Sequence, residues 1–317
     1  MCKIHRRKIL HMINLFKAQI YNLWKGVISE MAKIQHKREK PLEKAWYIVK
    51  PFLLYTVVKT VAIFSLALLL PSIPIAGLDV WVENHSMLLS TTINGVAALI
   101  GVAVVLRDFI KEMSTVGEID IDSGVIKQLV SCMKNGINNC KDKAFLLAAV
   151  VSLGISAALA LNIFVELLSV QSEKYDNVEA IQYSVPLWLG LILYGLVSPI
   201  TEEIIFRGIT YNRMKRFFGV VPCVIVTSLL FGGFHANMPQ FLYGTCMGVL
   251  MALVYEWVKA FAAPLLLHMA ANIIVFVLSF VVGDTFVINW LMGGSLAAIS
   301  MVLLGYLYRK RMKKRKI

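Results

Sequence analysis

Charge is scarce in this chain. Of its 317 residues only 16% are Asp, Glu, Lys or Arg, while 58% are hydrophobic; a soluble domain carries about 25% charged and about 45–50% apolar residues. With apolar runs long enough to cross a bilayer, that imbalance excludes a soluble globular protein and points to a polytopic membrane protein. Acids are scarcer still, 19 against 32 Lys and Arg, for a formal charge of +13. The cations gather at the edges of apolar segments, so they read as topology signals and contacts for anionic lipid, and nucleic acid is excluded as a partner. Cysteine is sparse: Cys2, Cys132, Cys140, Cys223 and Cys246 form no CxxC pair and no even-numbered framework. A disulfide scaffold is thereby excluded, and Cys223 and Cys246, lying in apolar runs, read as small core residues. With the first apolar run of useful length near residue 46, behind a basic leader, no secretory signal is expected, and no fixed-period repeat or low-complexity tract beyond the basic ends is read.

What is present is a series of apolar segments. Residues 1–45 carry eleven Lys and Arg against three acids, with large apolar residues at helical spacing, and read as an amphipathic helix on the cytoplasmic membrane surface. Spans of about 20 residues are expected at 51–71, 87–106, 144–165, 185–207, 220–238, 240–257, 262–282 and 287–308. Six Lys and Arg in 107–143, four in 207–219, Lys259 and the basic tail fall on alternate connections, whereas 72–86, 166–184, 239 and 283–286 hold only Lys174. The consistent solution is an all-α bundle of about eight transmembrane helices with both termini cytoplasmic, in a bacterial cell membrane. Residues 46–184 make an amino-terminal group of spans with a cytoplasmic helical hairpin at 107–143. Residues 185–282 are the core of interest, and 283–317 the last span and tail.

Ionisable residues at membrane depth are costly, about 2.5–3.5 kcal/mol for a central charge on insertion scales, so each needs a partner, a wet cavity or a function. Glu202, Glu203 and Arg207 lie in the fourth span, His235 in the fifth, His268 and Asn272 in the seventh. Adjacent helical residues differ by about 100° in direction, so the two glutamates cannot share a face. Glu203 and Arg207 are spaced for an ion pair, which leaves Glu202 without a local partner and free for chemistry. Ser198-Pro199 also reads as an N-cap with proline at the first helical position, a purely structural use of the same acids. Gly232 and Gly233, just before His235, admit a close neighbour; His268 and Asn272, four apart, share a helical face. A carboxylate and an imidazole can activate water, and a second imidazole with an amide can stabilise an oxyanion. No HExxH motif and no evident triad is present, which leaves water as the nucleophile. One feature of hydropathy is awkward: His235 lies about 22 Å along its helix from the cytoplasmic end and His268 only about 9 Å. A break near Gly232-Gly233 would bring them level.

The order Glu202-Glu203-x-x-x-Arg207, Phe231-x-x-x-His235, His268-x-x-x-Asn272 resembles the CAAX-processing and bacteriocin-processing (CPBP, or Abi) family of intramembrane endopeptidases, over about residues 185–282. The resemblance implies a helical cavity open to cytoplasm and lipid, a membrane-associated peptide or protein substrate, and a role in peptide or bacteriocin processing or in self-immunity. It implies Glu202 as the base acting with His235, His268 and Asn272 as the oxyanion-stabilising pair, and Glu203, Arg207 and Phe231 as support. The family is often called metalloprotease; His235, His268 and Glu202 could form a His₂Glu zinc set, and metal-free water activation is the other option. Two rivals of other classes stand beside this reading: a non-catalytic membrane immunity or partner-binding protein, and a small proton-coupled transporter.

Overall fold

The computed structural model of the chain describes residues 41–70, 72, 73, 75, 77–116, 143–168, 170, 172–281 and 289–314. The chain divides into two units, Met1–Trp46 and Tyr47–Ile317. Of the first, residues 41–46 are described and form the start of a helix; the second holds all the other described residues.

Every regular element among the described residues is helical. In chain order they are α1 (Pro41–Leu69), α2 (Leu78–Asn84), α3 (Ser86–Thr115), α4 (Lys143–Leu167) and α5 (Glu173–Tyr183). Then come α6 (Leu187–Lys215), α7 (Val220–Phe234), α8 (Met238–Val258), α9 (Ala262–Val281) and α10 (Trp290–Lys314). Seven of these are long and apolar enough to cross a membrane, and α7 is an eighth apolar helix of 15 residues. The all-α membrane bundle expected from hydropathy is therefore what forms.

Several boundaries differ from the expectation. α1 begins at Pro41, so the last residues of the basic leader belong to the first span. α3 runs to Thr115, taking in residues expected in a cytoplasmic hairpin; the remainder of that hairpin, 117–142, and the leader up to residue 40 lie outside the described residues. The 166–184 connection holds a helix of its own, α5, whose first turn is capped by the Ser172 side chain accepting from the Tyr175 amide. Cys223 is buried as expected, but Cys246 is exposed on α8.

α6 is the most unusual element. Pro199 should break it, because proline lacks an amide hydrogen and its ring collides with the carbonyl four residues earlier. That carbonyl belongs to Gly195, inside a π-helical stretch, Leu193–Val197, whose wider winding shifts the hydrogen-bond register. The helix consequently continues through the proline. Ser198 has helical backbone angles (φ −59°, ψ −54°) and is no N-cap, which overturns the capping reading. A second π-helical stretch, Ile204–Tyr211, comes directly after Glu202-Glu203.

Around α6 the helices close a single core. α7 packs along α8, and α4 is flanked by α9 and α10. Phe109, Met113, Leu153, Ile205, Phe206, Ile209, Met247, Met251 and Leu267 are fully buried in it. Val57, Val61, Phe64 and Leu68 of α1, spaced at one helical face, are instead exposed; in a membrane protein that face is solvated by lipid.

One end of the bundle is fastened by buried charge that hydropathy does not foretell. Glu112 of α3, fully buried, accepts from the Arg213 Nε at 3.0 Å and from the Tyr47 hydroxyl at 3.0 Å, and also pairs with Arg216. Arg213 further pairs with Asp108, donates to the Tyr47 carbonyl at 2.8 Å and lies 4.4 Å over the Tyr47 ring. Beside this cluster Glu256 of α8 holds Lys215, Lys259 and the Tyr211 hydroxyl. These contacts tie α1, α3 and α8 to the end of α6. Removing one partner from a buried pair strands the other, at a cost of about 3–5 kcal/mol. Glu112→Gln is therefore expected to lower detergent-solubilised stability by roughly that amount, read as a large drop in thermal unfolding midpoint.

Candidate active site

The cavity of interest has a volume of about 300 Å³ and is lined by Glu202, His235, His268 and Asn272 together, from α6, the end of α7 and α9. Its walls continue through Lys59 of α1 and Tyr194 and Ser198 of α6 to Tyr183 of α5. All four residues singled out in the sequence as catalytic candidates therefore face one space. Burial pushes the Tyr183 phenol above its ordinary range, so that wall presents a neutral hydroxyl.

The geometry rests on Glu203. This carboxylate is 0% exposed, as is Arg207. Its Oε1 accepts from Arg207 Nη1 at 2.9 Å and from His268 Nδ1 at 3.0 Å. The i, i+4 ion pair expected from spacing is present; the bond to His268 is an addition. Because a carboxylate oxygen accepts, Nδ1 of His268 carries the hydrogen, and Nε2 is turned towards Glu202, whose Oε2 lies 3.7 Å away. That separation is too long for a hydrogen bond, so Nε2 is held beside Glu202 without being consumed by it. Arg207 also donates to the Gly248 carbonyl at 3.0 Å and lies 4.7 Å over the Phe231 ring.

Contrary to what its spacing suggests, Glu202 has a local partner. The Ser198 hydroxyl, one turn earlier, donates to its Oε1, fixing one oxygen and leaving Oε2 towards His268. The signal is present in the sequence, since Ser and Glu at i, i+4 share a helical face.

His235 sits where α7 stops. Gly232 and Gly233 remain helical, and the break falls just after them: Ala236 takes a left-handed φ of 57°, and Asn237 caps α8 by accepting from the Gln240 amide at 3.0 Å. This turn, and not one at the glycines, brings His235 into the same cavity as His268. Its Nδ1 faces the Phe231 carbonyl at 3.0 Å. A carbonyl only accepts, so Nδ1 donates and Nε2 is the ring nitrogen left for other partners. Phe231, the residue expected to support the site, has its ring against both imidazoles, 5.4 Å from His235 and 5.6 Å from His268.

Gly232 has a different use, close helix contact. A Cβ there would stand 2.6 Å from the Phe241 carbonyl and 2.9 Å from the Thr245 amide of α8. Gly244 approaches Gly232 in return, and Gly248 approaches Ser228.

Asn272 donates through Nδ2 to the Tyr194 carbonyl at 2.9 Å. Of the expected oxyanion pair, it is thus anchored to the first π-helical stretch, with its second amide hydrogen remaining. For the zinc option, among the described residues no three His, Cys, Asp or Glu side chains lie close enough together to hold an ion as placed, while His268 Nδ1 on Glu203 and His235 Nδ1 on the Phe231 carbonyl leave Nε2 of each ring in the role that a metal-bound histidine uses. His235, His268 and Glu202 are the residues that would hold such an ion, and no step of the proposed reaction runs through it.

Two parts of the chain's resemblance to known proteins bear on its family: a family match and two relatives. Residues 184–274, which contain all of the motif residues, match the family described as Type II CAAX prenyl endopeptidase Rce1-like. The chain is 26% identical over 235 residues to a protein named Putative membrane peptidase YdiL from Bacillus subtilis (strain 168), covering 74% of this chain and 88% of that one. It is 27% identical over 107 residues to Membrane-embedded CAAX protease MroQ from Staphylococcus aureus (strain USA300), covering 32% of this chain and 42% of that one. No solved structure gives a significant match.

The packing yields two expected outcomes. Glu203→Gln leaves Arg207 buried without a carboxylate and should cost on the order of 3 kcal/mol, whereas Glu202→Gln, at the cavity wall, should shift the unfolding midpoint far less; parallel thermal unfolding of the two variants decides. Gly232→Ala forces α7 away from α8 and displaces His235, so activity should fall at least as steeply as stability, as read by assaying at matched folded fraction.

Proposed function

Because the chain belongs to the CPBP family of membrane peptidases and sits in a bacterial cell membrane, we propose that it hydrolyses a peptide bond of a membrane-associated substrate by glutamate-activated water. The single observation that carries this reading is the convergence of Glu202, His235, His268 and Asn272 on one cavity.

In the proposed reaction Glu202 Oε2 takes a proton from a water as its oxygen attacks the scissile carbonyl. The C–O bond forms and the carbonyl electron pair moves to the oxygen. In this step His268 acts as an imidazolium, a donor at both nitrogens: Nδ1–H stays on Glu203 while Nε2–H donates to that oxyanion, and the remaining Asn272 N–H joins it. Such a donor is worth roughly 2.7–4 kcal/mol when well placed. His235 Nε2 accepts the proton that Glu202 took from the water and delivers it to the departing nitrogen, so that the amine leaves neutral when the C–N bond breaks and Glu202 is again a carboxylate. The net change is water plus amide to acid plus amine. Ser198 and Glu203 are positioning residues: the first orients Glu202 and the second fixes the direction of His268. The end of the bundle that carries Arg213, Lys215, Arg216 and Lys259 is assigned to the cytoplasm in this proposal by the positive-inside rule.

The test is cleavage by purified protein in lipid vesicles, with membrane peptides as substrates. Glu202→Gln should reduce turnover by a factor of a thousand or more with folding intact. A variant that still cleaves at near wild-type rate would sink the assignment of the base, and one that retains a cellular function without cleaving would favour a non-catalytic binding role.

A further inference from the structure

The cavity is not centred on its reactive groups. Two clusters of ion pairs mark one end of the bundle, Glu112 with Arg213 and Arg216, and Glu256 with Lys215 and Lys259. At a helical rise of about 1.5 Å per residue, Glu202 stands about 16 Å along α6 from Arg213, and His268 about 9 Å into α9, which begins just after Lys259. Other parts of the lining lie farther from that end. Asn94 is about 27 Å along α3 from Glu112, and Gln240 about 24 Å along α8 from Glu256. Asn162 lines the cavity near the distal end of α4, and α5 contributes Tyr175, Val178, Glu179 and Gln182. Glu202 and His268 thus form the floor, and the space extends away from the cations.

α5 makes the far rim without sealing it. This helix rests on α3, α8 and α9, and at 11 residues it is too short to cross a bilayer. Its lining residues recur at i, i+3, i+4 and i+7, one helical face. No residue of α5 is buried, and Tyr175, Glu179 and Gln182 keep part of their surface exposed. A helix shut over the cavity would bury that face. Its opposite face, with Lys174, Asp176 and Asn177, is exposed, as is Asn94 on α3. Among α2 and α5, the two short helices joining spans at this end, the single cation is Lys174. The charge asymmetry that gives the ion-pair clusters to the cytoplasm therefore gives this rim to the other side of the membrane.

We propose that the cavity opens on the non-cytoplasmic face of the membrane, so that its substrate is a polypeptide segment lying outside the cytoplasm, admitted past α5 together with the reacting water. The family resemblance of the motifs implies the reverse, a cavity open to the cytoplasm. The reading rests on the peptidase assignment above for the kind of ligand, and on helix geometry and charge asymmetry for the side from which it comes. The wall between rim and floor suits such a segment. Asn94, Asn162 and Gln182 bring side-chain amides to it, and an amide exchanges hydrogen bonds with a peptide backbone without the larger desolvation cost of a charge.

The experiment reads sidedness with single thiols, in the full chain with its own cysteines replaced by serine. Asn94→Cys and Gln182→Cys report on the cavity, Lys174→Cys on the exposed face of α5, and Thr115→Cys on the end of α3 beside the cations. Spheroplasts present the outer face to a membrane-impermeant maleimide, and inverted vesicles present the cytoplasmic face. The first three thiols should react about tenfold faster or more in spheroplasts, and Thr115→Cys should show the opposite bias. Maleimide on Gln182→Cys should then lower cleavage by about tenfold or more, while on Lys174→Cys it should leave the rate within about twofold. An impermeant peptide should be cleaved by spheroplasts and left intact by inverted vesicles. Reaction of Asn94→Cys and Gln182→Cys from the cytoplasmic side, or equally from both sides, overturns the proposal and leaves the peptidase assignment standing, as does cleavage by inverted vesicles alone. Reaction from outside without cleavage on either side keeps the outward opening and removes the peptidase assignment.

Discussion

A single buried carboxylate organises this protein. Glu203 of α6 holds Arg207 on its own helix and His268 on α9, and Arg207 extends the connection to the Gly248 carbonyl of α8 and the Phe231 ring of α7. Four helices are thus linked through one ion pair. Burying an acid and a guanidinium is expensive, and a bundle held only by apolar packing would not need to do it. What the arrangement supplies is orientation: in a bilayer, apolar side chains gain little by choosing one neighbour over another, so polar contacts decide how helices rotate. Glu203 sets the rotation of α6 and α9 together, and with it the direction of the groups those helices present at the cavity wall.

Much of this was legible in the sequence, and the reason differs from part to part. Hydrophobic length reveals spans because a bilayer imposes one thickness, so all eight apolar segments are recoverable within a few residues at most ends. The three motifs reveal which polar residues share a cavity, and helical spacing alone predicts the Glu203–Arg207 pair. Partners across helices are another matter. The His268 bond to Glu203, the Asn272 bond to the Tyr194 carbonyl and the grip of Arg213 on Glu112 join residues 65, 78 and 101 positions apart, and no local pattern encodes them.

Proline gave the most misleading local signal. Ser198-Pro199 followed by acids has the composition of a helix start, and on a soluble protein that would be a sound inference. Here the π-helical stretch Leu193–Val197 absorbs the missing hydrogen bond, and the serine hydroxyl that would have capped a backbone amide orients a carboxylate instead. Two π-helical stretches flank Glu202-Glu203. Each turn of that kind rotates the succeeding residues relative to an ideal α-helix, so the acids owe their direction to the irregular winding before them. Such windings recur at functional positions, and here the physical reason is visible.

The shortness of α7 has a consequence beyond the placement of His235. Fifteen residues rise about 22 Å, against a hydrocarbon layer of about 30 Å, and the outward face of that helix, with Val221, Ile225 and Leu229, is apolar and exposed. Acyl chains beside it meet a shorter greasy wall than those around α3 or α6, so they must thin or tilt to match it, at a cost of fractions of a kcal/mol per ångström. The protein therefore carries a built-in hydrophobic mismatch on the flank nearest its proposed reaction centre. Membrane thickness enters its energetics directly: a thicker, more ordered bilayer strains this flank, and a thinner one relieves it.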